Sequence, residues 1–554
     1  MRRVVPLVVS LSLGCGGSST PMSGADDQGG EGGAPVAPAA DCPVDEEVLP
    51  ARALRLTASQ YKRTLGVSFG MDESAIDLPA DAFHNDGIVS FNTYADVLTV
   101  TAANFSSFKS VANATAPKLA LQAKQQHACV FATADDECLN AFVGDFGKRA
   151  FRRPLASDEI DRYRELWKSS KATWSADVAT NQVLRALLLS PWHLYRTEFG
   201  GNEVKGLVQL SAHELANELA YVLTDGPADE ELMSLAEKGE LSDAEVRRAQ
   251  AIRLMSTPAG QAKTMDLFVQ LYGLDDVLGT PKDVDKFPDF TAKVRLDMRD
   301  EARSLVKANL SDGGNGLAGI FDADEVEISG RLARFYGLTS PAADDAKALV
   351  KLPEHRRGLL GLGSFLSASS AVDHTSTTKR GLLVLTRFLC GTVPLPPEGA
   401  QSMAGKIFAP NTDYTQREHW EFARKSAPEC VSCHGQFIPY GLGFEQFDAV
   451  GRDRPTEFGK KIDSSVTVDG LADDVNGSYK DTAAMVAKLL TTETGNACFA
   501  RHARGFLFGA PPGEADACRN QALGKTLKDE GSDVRELVLA LVTNPSFVLR
   551  KAGN

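Results

Sequence analysis

Cys430-Val431-Ser432-Cys433-His434 is the segment whose residue types and spacing define a chemistry. Two thiols at i and i+3 face one side of a helical turn, so both can form thioethers with the vinyl groups of a single porphyrin. The adjacent His434 then lies under the ring with an imidazole nitrogen available to iron as the proximal ligand. The spacing predicts one covalently bound haem c. Three other chemistries compete for these residues. Structural zinc needs two further ligands at close spacing, and His419 upstream has no C-x-x-C or H-x-x-x-H partner. A thioredoxin-like dithiol wants a long helix after the motif, where Pro439, Gly441 and Gly443 stand instead. A disulfide from Cys390 to Cys430 or Cys433 would remove the haem, and it stays open.

The second axial ligand is less marked. Met485 is the one methionine after His434, but Asp481 to Leu490 reads as an amphipathic helix, so core packing competes for it. His502 and His419 would give two imidazoles, and an open iron position would permit peroxide chemistry. Phe437, Tyr440 and Phe444 are placed to bury a ring edge, which tunes a potential by lowering solvent exposure.

Other motifs dissolve on inspection. His213-Glu214 lacks a second His four residues on, so it reads as a helix cap. Gly358 to Gly363 lacks the G-x-G-x-x-G spacing, so it reads as a close-packed helix start. Asp469, Asp473, Asp474 and Asn476 match no EF-hand, so a solvated turn is preferred to a calcium site. Arg149, Arg152 and Arg153 could meet propionates or an acidic partner, although interface pairing is the commoner use. Neither a Gly-x-Ser-x-Gly nor a P-loop is present.

The elements that must position the motif are mostly helices. Thr57-Ala58-Ser59-Gln60 opens a helix expected to stop at Gly66, and Ser211-Ala212-His213-Glu214 opens another that Asp225-Gly226 ends, with Leu210 and Leu215 as its staple. Ser242-Asp243-Ala244-Glu245 opens a third. Strand-like alternation is scarce, with Leu98–Thr101 and Val466–Val468 the better candidates, both short. The expected fold is mainly α, multi-domain, with few short strands and a cytochrome-c-like segment near the C-terminus. One echo stands out: Leu187-Leu188-Leu189-Ser190-Pro191-Trp192-His193-Leu194-Tyr195-Arg196 against Leu541-Val542-Thr543-Asn544-Pro545-Ser546-Phe547-Val548-Leu549-Arg550. Either a helical unit is duplicated or two helix-Pro junctions arose independently.

The 554 residues allow several domains, and 43% hydrophobic with 24% charged residues is a globular composition. A net charge of -14 argues against a polyanion-binding surface, so no nucleic-acid partner is expected. Arg2-Arg3, the apolar Val4 to Leu13 and Gly14-Cys15 read as an export signal, with Cys15 the expected lipidation site. The lipid would be the sole membrane contact. Outside the cytoplasm cysteines oxidise. With Cys15, Cys430 and Cys433 set aside, six remain, expected to pair as Cys129–Cys138, Cys498–Cys518 and, by parity alone, Cys42–Cys390. The expected division is signal 1–15, linker 16–48, and segments 49–120, 121–200, 201–345, 346–458 (with the motif) and 459–554.

Several phrases then occur in a fixed order: RLTASQYKRTLG, FGKRAFRRPLASDEI, LLLSPWHLYRTEFG, LSAHELANELAYVLTDGPADEELMSLAEKGEL, RRGLLGLGSFLSASS, TSTTKRGLLVLTRFLC, CVSCHGQFIPYGLGFEQFDAVGRDR and CFARHARGFLFG. From Arg52 to Arg550 the chain resembles the multi-domain planctomycete surface-domain proteins that carry a planctomycete cytochrome-like domain. The resemblance implies modules mostly of unknown function and a haem held by Cys430, Cys433 and His434. The chain departs from the family phrasing at Ile438 to Phe444 and at Thr375 to Gly381, without loss of a haem ligand. The expected function is electron transfer with a redox partner protein rather than stand-alone catalysis. The alternatives are a surface structural or adhesive protein with a disulfide at the motif, and a peroxidase-type haem enzyme.

Overall fold

Most of the longer helices in this chain start where a short polar side chain takes up free N–H groups of a first turn. The Thr57 hydroxyl accepts from Gln60 N, and Thr57 N donates to Gln60 Oε1, both at 3.1 Å, opening α1 (Ala58–Phe69). Ser211 and Glu214 repeat this box at α7 (Ala212–Thr224), which ends at Asp225 in the left-handed region. Three expectations are corrected. Gly66 does not stop α1: the Glu73 side chain packs where its Cβ would stand, and the stop falls at Gly70, with φ of 65°. Asp243 rather than Ser242 caps α9 (Ala244–Met255), accepting from Glu245 N and Val246 N. Leu98–Thr101 is not a strand, because the Thr101 hydroxyl is used to cap α2 (Ala102–Gln126).

The structure is a computed structural model that describes residues 48–553 except 82–90, 96, 202, 312, 340–342, 394–412, 428–430, 432, 470–472, 512 and 514–515. The export signal, Cys15, Cys42 and Cys430 therefore lie outside the described residues. The fold is mainly α with short antiparallel strands. A first core gathers α1, α2, α3 (Asp136–Phe151), α4 (Ser157–Thr173) and α5 (Ala176–Leu188) around Tyr61, Leu65, Phe142, Phe146 and Leu187. A second core runs through buried residues from Phe91 to Phe547, so segments 201–345, 346–458 and 459–554 share one interior. It holds α7, α8 (Glu230–Glu237), α9, α10 (Pro258–Tyr272), α11 (Ala292–Leu310), α12 (Gly316–Asp322), α13 (Gly330–Tyr336), α14 (Gly363–Ala368) and α15 (Thr377–Phe388). It continues with α16 (Gln416–Ser426), α17 (Ile438–Leu442), α18 (Thr482–Leu489), α19 (Glu493–Phe508), α20 (Ala517–Asp529) and α21 (Val534–Thr543).

The two echoing segments fold alike. After α5, Ser190 caps the short α6 (Pro191–Leu194), which runs into β2 (Tyr195–Glu198). After α21, Asn544 caps the turn Pro545–Val548, which runs into β11 (Leu549–Lys551). β2 pairs with β1 (Arg52–Arg55), Leu54 opposite Arg196, while β11 pairs with β4 (Leu207–Gln209), Val208 opposite Arg550. The bond that follows is also repeated: Leu56 N donates to Leu194 O at 2.8 Å, and Leu210 N to Val548 O at 2.9 Å. Each inner strand, β1 or β4, then leads into a capping-box helix, α1 or α7. Strand, capped helix, three helices, Pro turn and return strand recur in both, so the echo in sequence is an echo in structure, with α2 added in the first unit.

The two units meet in a buried charge cluster. Arg196 reaches Glu218 at 2.7 Å, Arg550 reaches Glu198 at 2.5 Å and Glu218 at 3.3 Å, and Arg52 reaches Glu198 at 3.1 Å. Burial acts to raise the Glu198 carboxyl, but the guanidiniums of Arg52, Arg550 and Arg196 outweigh it and hold it well below the ordinary range. Losing one partner of such a pair costs about 3–5 kcal/mol.

Candidate haem site

The motif begins a chain of tight turns. Val431, Cys433 and His434 are helical, and Gly435 N donates to Val431 O at 2.8 Å. Gln436 N and Phe437 N then donate to Cys433 O and His434 O, and Pro439 fits the first turn of α17, where its missing N–H is not needed. Cys433 is half-buried against the second core. His434 is 7% exposed, and burial pushes its imidazole below the ordinary histidine range. Its ring lies 5.2 Å from that of Phe437 and forms no hydrogen bond with any described residue. A buried polar group normally has a partner. A neutral imidazole one residue from a helical cysteine, its nitrogens bonded to no described residue, fits an axial iron ligand.

Backbone packing fixes where the motif sits. A Cβ on Gly381 of α15 would collide with Phe437 O, and one on Gly441 of α17 with Thr377 O. The two helices therefore cross in direct backbone contact. Gly443 likewise leaves room for Thr482, whose hydroxyl donates to Tyr440 O at 2.5 Å. That bond docks the start of α18, the helix carrying Met485, onto the motif segment. Phe437, Tyr440 and Phe444 are buried, and Phe444 lies 5.7 Å from Phe365 of α14, so part of this aromatic set anchors the motif to the core.

Two fully buried arginines hold the chain after the motif. Arg380 donates to Phe444 O, Phe447 O and Asp448 O, as well as to Leu366 O and Ser370 Oγ. Arg356 donates to Gly451 O at 2.8 Å and Asp453 Oδ1 at 2.6 Å, with its guanidinium 4.3 Å from the Tyr336 ring centroid and 4.7 Å from that of Phe447. Tyr336 in turn donates to Glu301 Oε2 at 2.9 Å and accepts from Gly363 N. Burial pushes the Glu301 carboxyl up to about 8. Reading the sequence missed these positioning residues. Their signal lay in the phrases TTKRG and RRGLLGLG, where Arg380 adjoins the close-packed Gly381 and Arg356 stands two residues before the close-packed Gly358.

The remaining expected residues fall elsewhere. His502 is fully committed on α19: its Nε2 donates to Thr386 O at 3.1 Å and lies beside a cystine. In this arrangement its Nε2 faces the cystine and Thr386 O. Met485 is fully buried in the core. His419 is half-buried on α16, its ring 5.5 Å from that of Tyr414. Arg152 donates to Trp192 O, His193 O and Tyr195 O, and Arg153 pairs with Glu159, so this cluster serves the first core. Glu214 accepts from Phe199 N, Gly200 N and Ser211 N, as a cap should.

The cysteines pair differently from the parity argument. Cys129 and Cys138 are bridged, but Cys498 is bridged to Cys390, so neither Cys498–Cys518 nor Cys42–Cys390 exists. Cys518 is itself disulfide-bonded. The error was to prefer short loops: α15 delivers Cys390 to the side of α19, which sequence distance hides. The same bridge removes Cys390 as a partner for Cys430 or Cys433.

Three family models match the chain: PSD5, a protein of unknown function (DUF1595), over residues 138–198; PSD4, a protein of unknown function (DUF1592), over 210–338; and PSCyt3, a protein of unknown function (DUF1588), over 356–457. The last spans the motif and both buried arginines. The chain thus carries three domains of the planctomycete cytochrome-like and surface-domain type, each of unknown function. No curated protein and no solved structure matches it. Among the described residues, no helix is long and apolar enough to cross a membrane.

Proposed function

We propose that this protein is an exported electron-transfer protein carrying one haem c on Cys430, Cys433 and His434, held to a membrane by a lipid on Cys15. The observation that carries the reading is His434, a buried neutral imidazole bonded to no described residue, one position from Cys433 on a rigidly held turn. Bound haem supplies a one-electron couple. The chain's part is to fix the ring through two thioethers, offer the imidazole and keep water from one edge with buried aromatic residues. Of the three distal residues read from the sequence, Met485, His502 and His419, the proposal favours Met485, because the Thr482–Tyr440 bond docks its helix onto the motif segment. The Cys390–Cys498 bridge weakens the rival reading in which Cys390 consumes a motif cysteine.

The test is a reduced-minus-oxidised visible spectrum with a pyridine haemochrome assay, after periplasmic expression with c-haem maturation factors. A c-type spectrum that survives denaturation and vanishes in Cys430→Ala/Cys433→Ala is expected. A colourless folded protein sinks the reading and favours a surface structural role. A high-spin spectrum with peroxide turnover favours the peroxidase.

A further inference from the structure

Cys390, Cys498 and His502 are the one trio of metal-ligating side chains, among the described residues, whose ligand atoms all lie within 4.8 Å of one another. Cys498 and His502 stand at i and i+4 on α19, on one helix face. Cys390 follows the end of α15 in the left-handed region, with φ of 52°, which turns its sulfur toward α19. His502 Nε2 is 3.3 Å from Cys390 Sγ and 3.6 Å from Cys498 Sγ. A structural cystine has no need of an imidazole against both sulfurs. The first unit shows what such a cystine does without: Phe146 and Phe506 share one spacing from Cys138 and Cys498, and the position matching His502 is the buried Phe142. A buried imidazole carries a desolvation cost that phenylalanine does not.

We infer that Cys390, Cys498 and His502 form a redox-gated site for a thiophilic d10 cation of the Zn(II) class, closed while the sulfurs are bridged and opened by reduction. The reductant is an external dithiol. Its thiolate attacks the Sγ of Cys390, the half-buried residue of the pair, the S–S bond breaks, and the buried Cys498 leaves as a thiolate that takes a proton. The reductant's second thiol then displaces Cys390, so two cysteine thiols and the reductant's disulfide result. Cation binding forms two metal–sulfur bonds and releases two thiol protons. His502 shifts its proton from Nε2 to Nδ1, gives up the bond to Thr386 O, and turns the Nε2 lone pair to the metal. A fourth position stays open to water on the Cys390 side, as in sites with three protein ligands.

The inference is independent of haem, and its test uses the full chain with Cys430→Ala/Cys433→Ala so that the motif cannot contribute. Zn(II) is titrated anaerobically against a chromophoric chelator, and Co(II) is added as a spectroscopic stand-in. The reduced protein should bind one Zn(II) that the oxidised protein does not, with thiolate-to-Co(II) charge-transfer absorption. Cys498→Ser should abolish that binding. His502→Phe, which copies the first unit, should weaken it by about tenfold or more while the oxidised protein keeps its far-UV circular dichroism. Equal binding by oxidised and reduced protein, unchanged binding in either variant, or unfolding on reduction before any Zn(II) is bound would each overturn it.

Discussion

The unit from β1 to β2 and the unit from β4 to β11 are two versions of one scaffold that differ in what lies inside them. In the first, residues 70–135 separate the capped helix from the three-helix set and add little beyond α2. In the second, residues 225–492 fill the same gap and include the whole cytochrome-like segment. Closing the longer gap, roughly two doublings of length, adds only about 1.2 kcal/mol of loop entropy. The scaffold can carry that load because its ends are joined by a strand pair and a buried charge cluster. Its cysteine has been redeployed as well. The first unit spends Cys138 on Cys129, nine residues away, while the second sends Cys498 to Cys390 across 108 residues of sequence.

The largest expected effect separates the two bridges. By chain entropy, removing Cys390–Cys498 should cost about 5 kcal/mol and removing Cys129–Cys138 about 3 kcal/mol. Urea unfolding of Cys390→Ser/Cys498→Ser and Cys129→Ser/Cys138→Ser measures both, and equal losses would break the contrast. Next come the arginines. Arg550→Ala should cost about 3–5 kcal/mol, and Arg196→Ala less, because Arg550 reaches both buried carboxylates and Arg196 only Glu218. A larger loss at Arg196 would reverse the ranking of the two return strands.

Smallest per pH unit, though comparable with the longer bridge when summed over its window, is a slope with pH. Burial raises Glu301, within the second unit's insertion, from its ordinary 4.5 to about 8. A raised carboxyl gives stability that is complete below 4.5 and is lost as pH rises toward 8, with a slope of at most about 1.4 kcal/mol per pH unit. Glu301→Gln should flatten that slope in unfolding experiments between these limits. An unchanged slope would move its origin to another group.

Much of this was legible in the residues. The capping boxes at Thr57 and Ser211, the Pro junctions at Ser190 and Asn544 and the motif itself are short-range patterns, and short-range physics decides them. What was hidden depends on tertiary approach. Cys390 could be matched to Cys498 only through the direction of α15. Arg380 and Arg356 bind backbone carbonyls dozens of residues away, which composition does not encode. The strands β1, β2, β4 and β11 are too short for alternation to mark, and the hydrophobic run at Leu98–Thr101 lost to a cap. Gly66 read as a stop because its spatial neighbour, Glu73, arrives from beyond the helix end.

The glycine crossing of α15 and α17 has a mechanical side. Side chains between packed helices act as cushions, since they can change rotamer and absorb a shift. Here Gly381 and Gly441 leave none, so a displacement of the motif segment passes to α15 undamped. That helix is a rod of 12 residues, about 18 Å long, and Cys390 stands just past its far end. Motif and cystine are the two ends of one lever.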